Sequence, residues 1–268
     1  MIKVTVLQTG RVNVDIGIPL KQNNPLAPTG WFRSKKHRLW MPVSTYLIEH
    51  PKGLVLIDTG WNKEERVSKS SKFNIPKVAV SELPQGLSID EQLKKLGISP
   101  ENLDYVLISH MDGDHIGGLD VVSKAKKILV SKDEWRSSQK KINRFRYDSE
   151  LWKESRIEQF EYEKSNIGPF NKSYDLFKDG TIQLVSTPGH SNGLFTTLIN
   201  GNEQFAALIA DTGYLKESWN DLHIPGITVS KKKAKKSLEW VKSISEDLRC
   251  YGIYANHDPE IRPHSFEL

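Results

Sequence analysis

An α/β fold is predicted by three features of this chain. Short apolar, β-branched runs recur along its length, segments with helical apolar spacing and cap signals lie between them, and His or Asp side chains stand just past the ends of several runs. Alternating strands and helices make a sheet that presents ligands beyond the carboxyl ends of its strands.

The elements follow in order. "IKVTVLQ" and "RVNVDIG" alternate like two strands. After a long irregular stretch come "VSTYLIE" and "GLVLIDTG", joined by His50-Pro51-Lys52-Gly53, a hairpin turn signal. The loop between Pro19 and Met41 carries Trp31, Phe32 and Trp40, either as a substrate rim or as cover for a sheet edge. "SIDEQLKKL" reads as a helix with Ser88 as N-cap, Glu91 completing a capping box and Gly97 as the stop. "LDYVLIS" is a strand that delivers "SHMDGDHIGGL", Ser109 to Leu119; "GGLDVVSKA" then reads as a short helix and "KKILVS" as a strand. From 132 to 172 the chain turns polar and aromatic, with Trp135, Phe145, Tyr147, Trp152, Phe160 and Tyr162; helical segments and loops over the sheet, a candidate lid, are expected there. Strands resume in "YDLF", "TIQLVSTPGH", "GLFTTLI", "EQFAALIADTG" and "CYGIYANHD". Leu238, Val241, Ile244 and Leu248 recur at helical spacing behind "KKKAKKS", whose lysines form a solvated helix face or a phosphate-binding patch. No internal repeat and no linker interrupts this order, so one domain over 1–268 is expected.

Composition narrows the class. At 268 residues the chain can bury a sizeable core; apolar residues make up 37%, charged residues 26%, and no apolar run is long enough to span a bilayer. The N-terminus has no apolar core or cleavage site of a secretory signal, and the single Cys250 excludes an intramolecular disulfide. A cytoplasmic location is the expectation. Cys250, beside "YGIYA", reads as a small core residue. The net charge of +5 and pI near 9.0 permit an anionic ligand without demanding one.

The chemistry concentrates at strand ends. His110, Asp112, Asp114 and His115 fall within six positions, and such crowding is costly unless a cation, most simply a metal ion, sits among them. Three further apolar runs end close to His190, Asp211 and His257, which suggests convergence on one rim of the sheet. His37, His50, His223 and His264 lie in loops with no partner at ligand spacing; His223 is the one expected nearest the pocket.

The ordered set His110-x-Asp112-x-Asp114-His115, His190, Asp211, His257 resembles the signature of the metallo-β-lactamase superfamily. Within it, "YLIEHPKGLVLIDTGW", "YDLFKDGTIQLVSTPGHS" and a tyrosine three residues after the late aspartate, Tyr214, are most similar to the quorum-quenching N-acyl homoserine lactonases. The resemblance implies a four-layer αβ/βα sandwich of two mixed sheets with helices on the outer faces. It also implies two divalent metal ions, one held by His110, Asp112 and His190, the other by Asp114, His115 and His257, with Asp211 bridging. Zinc is the implied metal. Asp112 stands where the superfamily has a histidine, and its added charge and oxygen donor shift preference toward manganese or iron or weaken the first site. Taken alone, Asp112 could also cap the short turn.

The activity implied is hydrolysis of a carbonyl ester or lactone, N-acyl homoserine lactone included, by a hydroxide bridging the metals. Asp114 would pass a proton to the leaving alkoxide, Tyr214 would hydrogen-bond the developing oxyanion, and Asp58 would orient a ligand histidine. Two alternatives stay open: a phosphodiesterase or ribonuclease on the same metal pair, though no nucleic-acid module or long basic arm accompanies it, and a non-catalytic ligand-binding member of the fold. The expected partner is a small-molecule ester or lactone and not a membrane or nucleic acid; the oligomeric state stays open, a homodimer included.

Overall fold

Alternate residues of the apolar runs turn to opposite faces, and both faces are buried. The structure, a computed structural model, describes residues 1–66 and 78–268. Its first half forms β1 (Lys3–Asp15), β2 (Arg38–His50), β3 (Gly53–Ile57), β4 (Ala79–Glu82), α1 (Ile89–Lys95), β5 (Tyr105–Ile108), α2 (Gly113–Ile116), β6 (Ile128–Ser131), α3 (Lys132–Ser138) and β7 (Ile157–Phe160). The second half adds β8 (Glu163–Lys164), β9 (Lys172–Asp175), β10 (Ile182–Ser186), β11 (Phe195–Asn200), β12 (Phe205–Leu208), α4 (Lys216–Asn220), α5 (Lys231–Ser245), β13 (Cys250–Tyr254) and β14 (Ser265–Glu267).

Two mixed sheets result. One runs β14-β1-β2-β3-β5-β6-β7, with β4 also paired to β1, and the other runs β13-β12-β11-β10-β9-β8. Strands β3, β5, β6 and β7 are parallel neighbours, as are β12 and β13; the remaining pairs are antiparallel. Tyr46, Ile48, Val55, Ile57 and Leu107 of the first sheet pack against Ile182, Leu184, Phe195, Ile199 and Leu208 of the second. Their immediate neighbours face the other way. Leu47, Leu56, Val106 and Ile108 meet Ile89 and Leu93 of α1, while Val185, Leu198 and Ala207 meet Leu238 and Val241 of α5 and Trp219 of α4. The period-2 alternation therefore builds the four-layer αβ/βα sandwich, because each sheet must cover two apolar faces. No helix among the described residues is long and apolar enough to cross a membrane.

Several elements differ from their sequence reading. The two N-terminal runs are one strand, β1, whose register with β2 shifts between Gln8 and Arg11, where Gly10 adopts φ +92°. β2 starts at Arg38, so Trp40 is a strand residue stacked under Arg11. Residues 132–172 hold not only helical turns but β7, an edge strand of the first sheet, and β8, an edge strand of the second. "GGLDVVSKA" forms only a 3₁₀ turn over Asp120–Val122. Helix α5 ends at Ser245, leaving Leu248 fully exposed.

The capping box of α1 is present. Glu91 accepts the Ser88 N–H at 3.2 Å and the Ser88 hydroxyl at 2.7 Å, and Arg66 donates to both its oxygens. The Arg66 hydrogen bond, with help from Ser88, overcomes desolvation and holds the Glu91 carboxyl at about 2. A carboxyl depressed on folding stabilises fully above its unfolded value and loses that contribution as pH falls through the folded one. Glu91→Gln should therefore cost about 1 kcal/mol in urea denaturation at neutral pH, discounted for partial exposure, with the difference closing from about pH 4.5 toward 2. A pH-independent difference would assign the effect to packing.

Candidate metal centre

Each strand that ends at the common rim hands one cluster to it. β5 runs out at Ile108 into the loop carrying His110 and Asp112, and Asp114 and His115 open α2. The loop after β10 supplies His190, the turn after β12 supplies Asp211, and the end of β13 supplies His257. Ala210 takes φ +44°, a backbone position alanine seldom adopts, directly before Asp211. At Gly118 a Cβ would come within 2.6 Å of the Thr59 carbonyl, so only glycine lets the motif loop lie against residues 59 and 60.

Each imidazole is held from behind through Nδ1. His115 Nδ1 lies 2.8 Å from Asp58 Oδ2, His257 Nδ1 2.8 Å from the Pro42 carbonyl, His190 Nδ1 2.9 Å from the Ile227 carbonyl and His110 Nδ1 3.1 Å from Ser109 Oγ. Asp58, at φ +59°, also accepts the Ser109 N–H and hydroxyl and the Asn256 amide. With Nδ1–H so engaged, each Nε2 carries the lone pair and points inward.

The inward atoms form two groups that share Asp211. Its Oδ2 lies 3.8 Å from His110 Nε2 and 3.5 Å from His190 Nε2, while its Oδ1 lies 3.3 Å from both His115 Nε2 and His257 Nε2. Asp114 completes the second group, 3.5 Å from His257 Nε2 and 3.9 Å from His115 Nε2. Within His110–His190–Asp211, and within Asp114–His115–His257, ligand atoms lie within 4.8 Å of one another. His110 Nε2, His115 Nε2 and Asp211 Oδ1 are buried and make no hydrogen bond. Buried lone pairs of imidazole and carboxylate aimed at a common space fit divalent metal ions.

The charges point the same way. Burial opposes protonation of His115, yet Asp211, Asp58 and Asp114 raise its pKa well above the ordinary range; His257 is raised by Asp211 and Asp114 against the same burial. Desolvation would raise Asp211, but His257 and His115 hold its carboxyl well below the usual value. An excess of buried carboxylate thus draws positive charge to this space, and a metal ion satisfies it. Tyr214 stacks on His257 with ring centroids 5.1 Å apart. Burial, then the Asp211 charge, push its phenol well above 10, so it remains a neutral donor.

Asp112 makes no cap bond to α2. It lies near the first group, 2.9 Å from His190 Nε2 and 3.4 Å from His110 Nε2, but Arg146 grips both its oxygens, Nε to Oδ1 at 2.6 Å and Nη2 to Oδ2 at 2.7 Å. The sequence reading did not single out Arg146. It sits in a charged segment 34 positions away, and only the surplus charge of an Asp in a histidine position hinted at a cationic partner. Trp61 also escaped notice; it is buried and lines the cavities beside the centre. Of the aromatics in 132–172, Phe145 borders those cavities, whereas Tyr147, Trp152 and Phe160 are core residues. Trp31 and Phe32 are exposed and Trp40 borders a separate groove. His37, His50, His223 and His264 join neither ligand group.

A cavity of about 170 Å³ opens on the centre, touching Asp112, Asp114, His190, Asp211, Tyr214 and His257. Arg146 apart, its other walls are apolar, chiefly Val12, Val14, Ile18, Met41, Trp61 and Ile227. A larger cavity of about 500 Å³, rimmed by Glu64, Asp120, Asp148 and Lys153, adjoins it at Trp61, Phe145 and Arg146.

Because Asp58 orients His115, Asp58→Asn should weaken divalent-ion binding about 10- to 100-fold. Zinc retained per chain after dialysis against graded chelator measures this, and wild-type retention would reduce Asp58 to a role in packing.

Comparison with known proteins places this centre. The chain is 25% identical over 233 residues to the N-acyl homoserine lactonase AttM of Azorhizobium caulinodans, covering 83% of this chain and 84% of that protein. It is 27% identical over 224 residues to the N-acyl homoserine lactonase AiiA of Bacillus thuringiensis subsp. kurstaki, covering 82% of each. Among solved structures, an N-acyl homoserine lactone hydrolase with N-hexanoyl-L-homoserine at its catalytic metal centre superposes with a TM-score of 0.78 at 23% identity, over 96% of this chain and 94% of that one. The dizinc quorum-quenching lactonase AidC superposes at 0.67 with 18% identity, over 96% and 87%. Residues 38–252, which carry every strand end of the centre but the last, match the metallo-β-lactamase superfamily model, and the chain belongs to that superfamily.

Proposed function

We propose that this member of the superfamily is a metal-dependent hydrolase that opens lactones, or cleaves esters, bearing an apolar acyl group. One observation carries the reading: ligand residues of both groups and Tyr214 line a cavity whose remaining walls, Arg146 apart, are apolar. Relatives named as N-acyl homoserine lactonases support the lactone as substrate.

His110, His190 and Asp211, with Asp112 beside them, would hold one ion, and Asp114, His115 and His257, sharing Asp211, the other. Held by these residues, divalent ions would supply Lewis acidity for a carbonyl oxygen and would lower the pKa of water toward about 7. Each group offers two imidazoles and a carboxylate, which suit zinc, and zinc has a counterpart in the dizinc AidC, while the added carboxylate of Asp112 favours a harder ion such as manganese or iron.

The protein's own groups do the rest. The apolar walls take the acyl chain and exclude bulk water, which strengthens every polar contact at the ester. Tyr214, kept neutral, donates a hydrogen bond to the carbonyl oxygen as negative charge develops on it. Asp114 faces the cavity between His115 and His257 and is placed to carry a proton to the alkoxide that leaves. Among the described residues lining this cavity Arg146 is the single Arg or Lys, and its guanidinium is committed to Asp112 and His190. Beyond the metal ions themselves, no free cationic side chain among those residues would hold a nucleic-acid backbone, which favours the carbonyl substrate over the nucleic-acid alternative.

Two measurements test this. Exhaustive chelation should abolish lactone opening, and zinc, manganese or iron should restore it; activity surviving in metal-free protein would sink the proposal. Tyr214→Phe should lower kcat about 100- to 1,000-fold at unchanged metal content, because one oxyanion donor is lost. Metal loss in that variant would make Tyr214 a structural residue, and a panel preferring phosphodiesters over lactones, esters and thioesters would reverse the substrate class.

A further inference from the structure

The two ligand groups are not equivalent in charge. Arg146 lays its guanidinium fork on Asp112, and the same Nη2 lies 2.8 Å from His190 Nε2 while Nη1 donates to the His190 carbonyl at 2.9 Å. With Nδ1 against the Ile227 carbonyl, the Nε2 that would face an ion is already taken up, by Arg146 Nη2 at 2.8 Å and Asp112 Oδ2 at 2.9 Å. A guanidinium is never a ligand, only a donor with a fixed positive charge. It is also well seated: its carbon lies 5.2 Å from the Tyr147 ring centroid. Tyr147 in turn donates to Glu134, a buried carboxylate that also accepts the Met111 and Gly193 N–H groups. In the second group no Arg or Lys touches Asp114, His115 or His257 among the described residues; their ionic partners there are imidazoles and carboxylates.

We infer that Arg146 is a built-in counter-ion of the first group, so that the centre loads in order. A divalent ion enters Asp114–His115–His257 first and tightly. A second ion enters His110–His190–Asp112 about tenfold or more weakly, because it must draw Asp112 and His190 away from Arg146 against that residue's charge. Arg146 acts through Asp112 and His190 as a positioning residue. The inference rests on the metal-dependent reading above and sharpens it, since it makes occupancy of the first group sensitive to metal concentration.

Titration of metal-free protein with Zn²⁺ by calorimetry, and with Co²⁺ by its visible absorption, tests the order. Wild type should show two steps separated about tenfold or more in affinity. Arg146→Met should tighten the weak step about tenfold while moving the tight step less than about threefold, which general damage to the fold would not do. One step in wild type becoming two in the variant is the same result at its limit. Two equal steps in wild type overturn the inference without any variant, and so does a variant whose loading matches wild type; both leave the hydrolase standing. Failure to bind any ion overturns this inference together with the function it rests on.

Discussion

Everything at the rim depends on how the four imidazoles are held. Each ring sets its Nδ1 against a fixed partner, three of them drawn from elsewhere in the fold: Asp58 at the end of β3 for His115, the Ile227 carbonyl for His190 and the Pro42 carbonyl of β2 for His257, with the neighbouring Ser109 hydroxyl serving His110. A single tautomer is thereby set at each position and the Nε2 lone pairs are driven inward, where Asp211 divides its two oxygens between the pairs. The sandwich exists, for this purpose, to bring those acceptors into register.

Burying such a centre sets a problem of charge. Buried Asp58 and Asp211 and half-buried Asp112 and Asp114 crowd one space, and carboxylates so placed persist only beside positive charge. Around Asp211 and Asp114 the same demand pulls the pKa of His115 and His257 upward, and the geometry is suited to a metal ion that would take the place of those protons. Around Asp112 it meets the demand with Arg146. A carboxylate at position 112 therefore adds more than one donor atom to the centre, because a fixed cation, Arg146, is paired with it. The same residue borders both cavities, so the charge balance of the first group and the shape of the substrate approach are tied to one side chain.

Much of this was legible along the chain. The apolar runs gave away strands buried on both faces, since "YVLI" has no polar residue between its ends and "IQLVS" only Gln183. Ser88 and Glu91 announced α1 because their chemistry is local. His110, Asp114, His115, His190, Asp211 and His257 were visible because each lies within a few residues of the end of an apolar run, and a strand end is a place that sequence can name. β7 and β8 were not visible in the charged segment 132–172; edge strands pair through their backbone and leave little side-chain pattern. The exposure of Leu248 escaped for the opposite reason, as spacing alone cannot tell where α5 stops.

The sequence by itself determined the residue types and their order, because ligand chemistry and strand periodicity are written in neighbouring positions. Only the tertiary structure decided which face of each imidazole meets the centre, that Asp112 is paired with Arg146, and that Trp61 with Val12, Met41 and Ile227 walls the approach. Those facts depend on distances between segments far apart in the chain, set by how two sheets pack, and no local pattern encodes them.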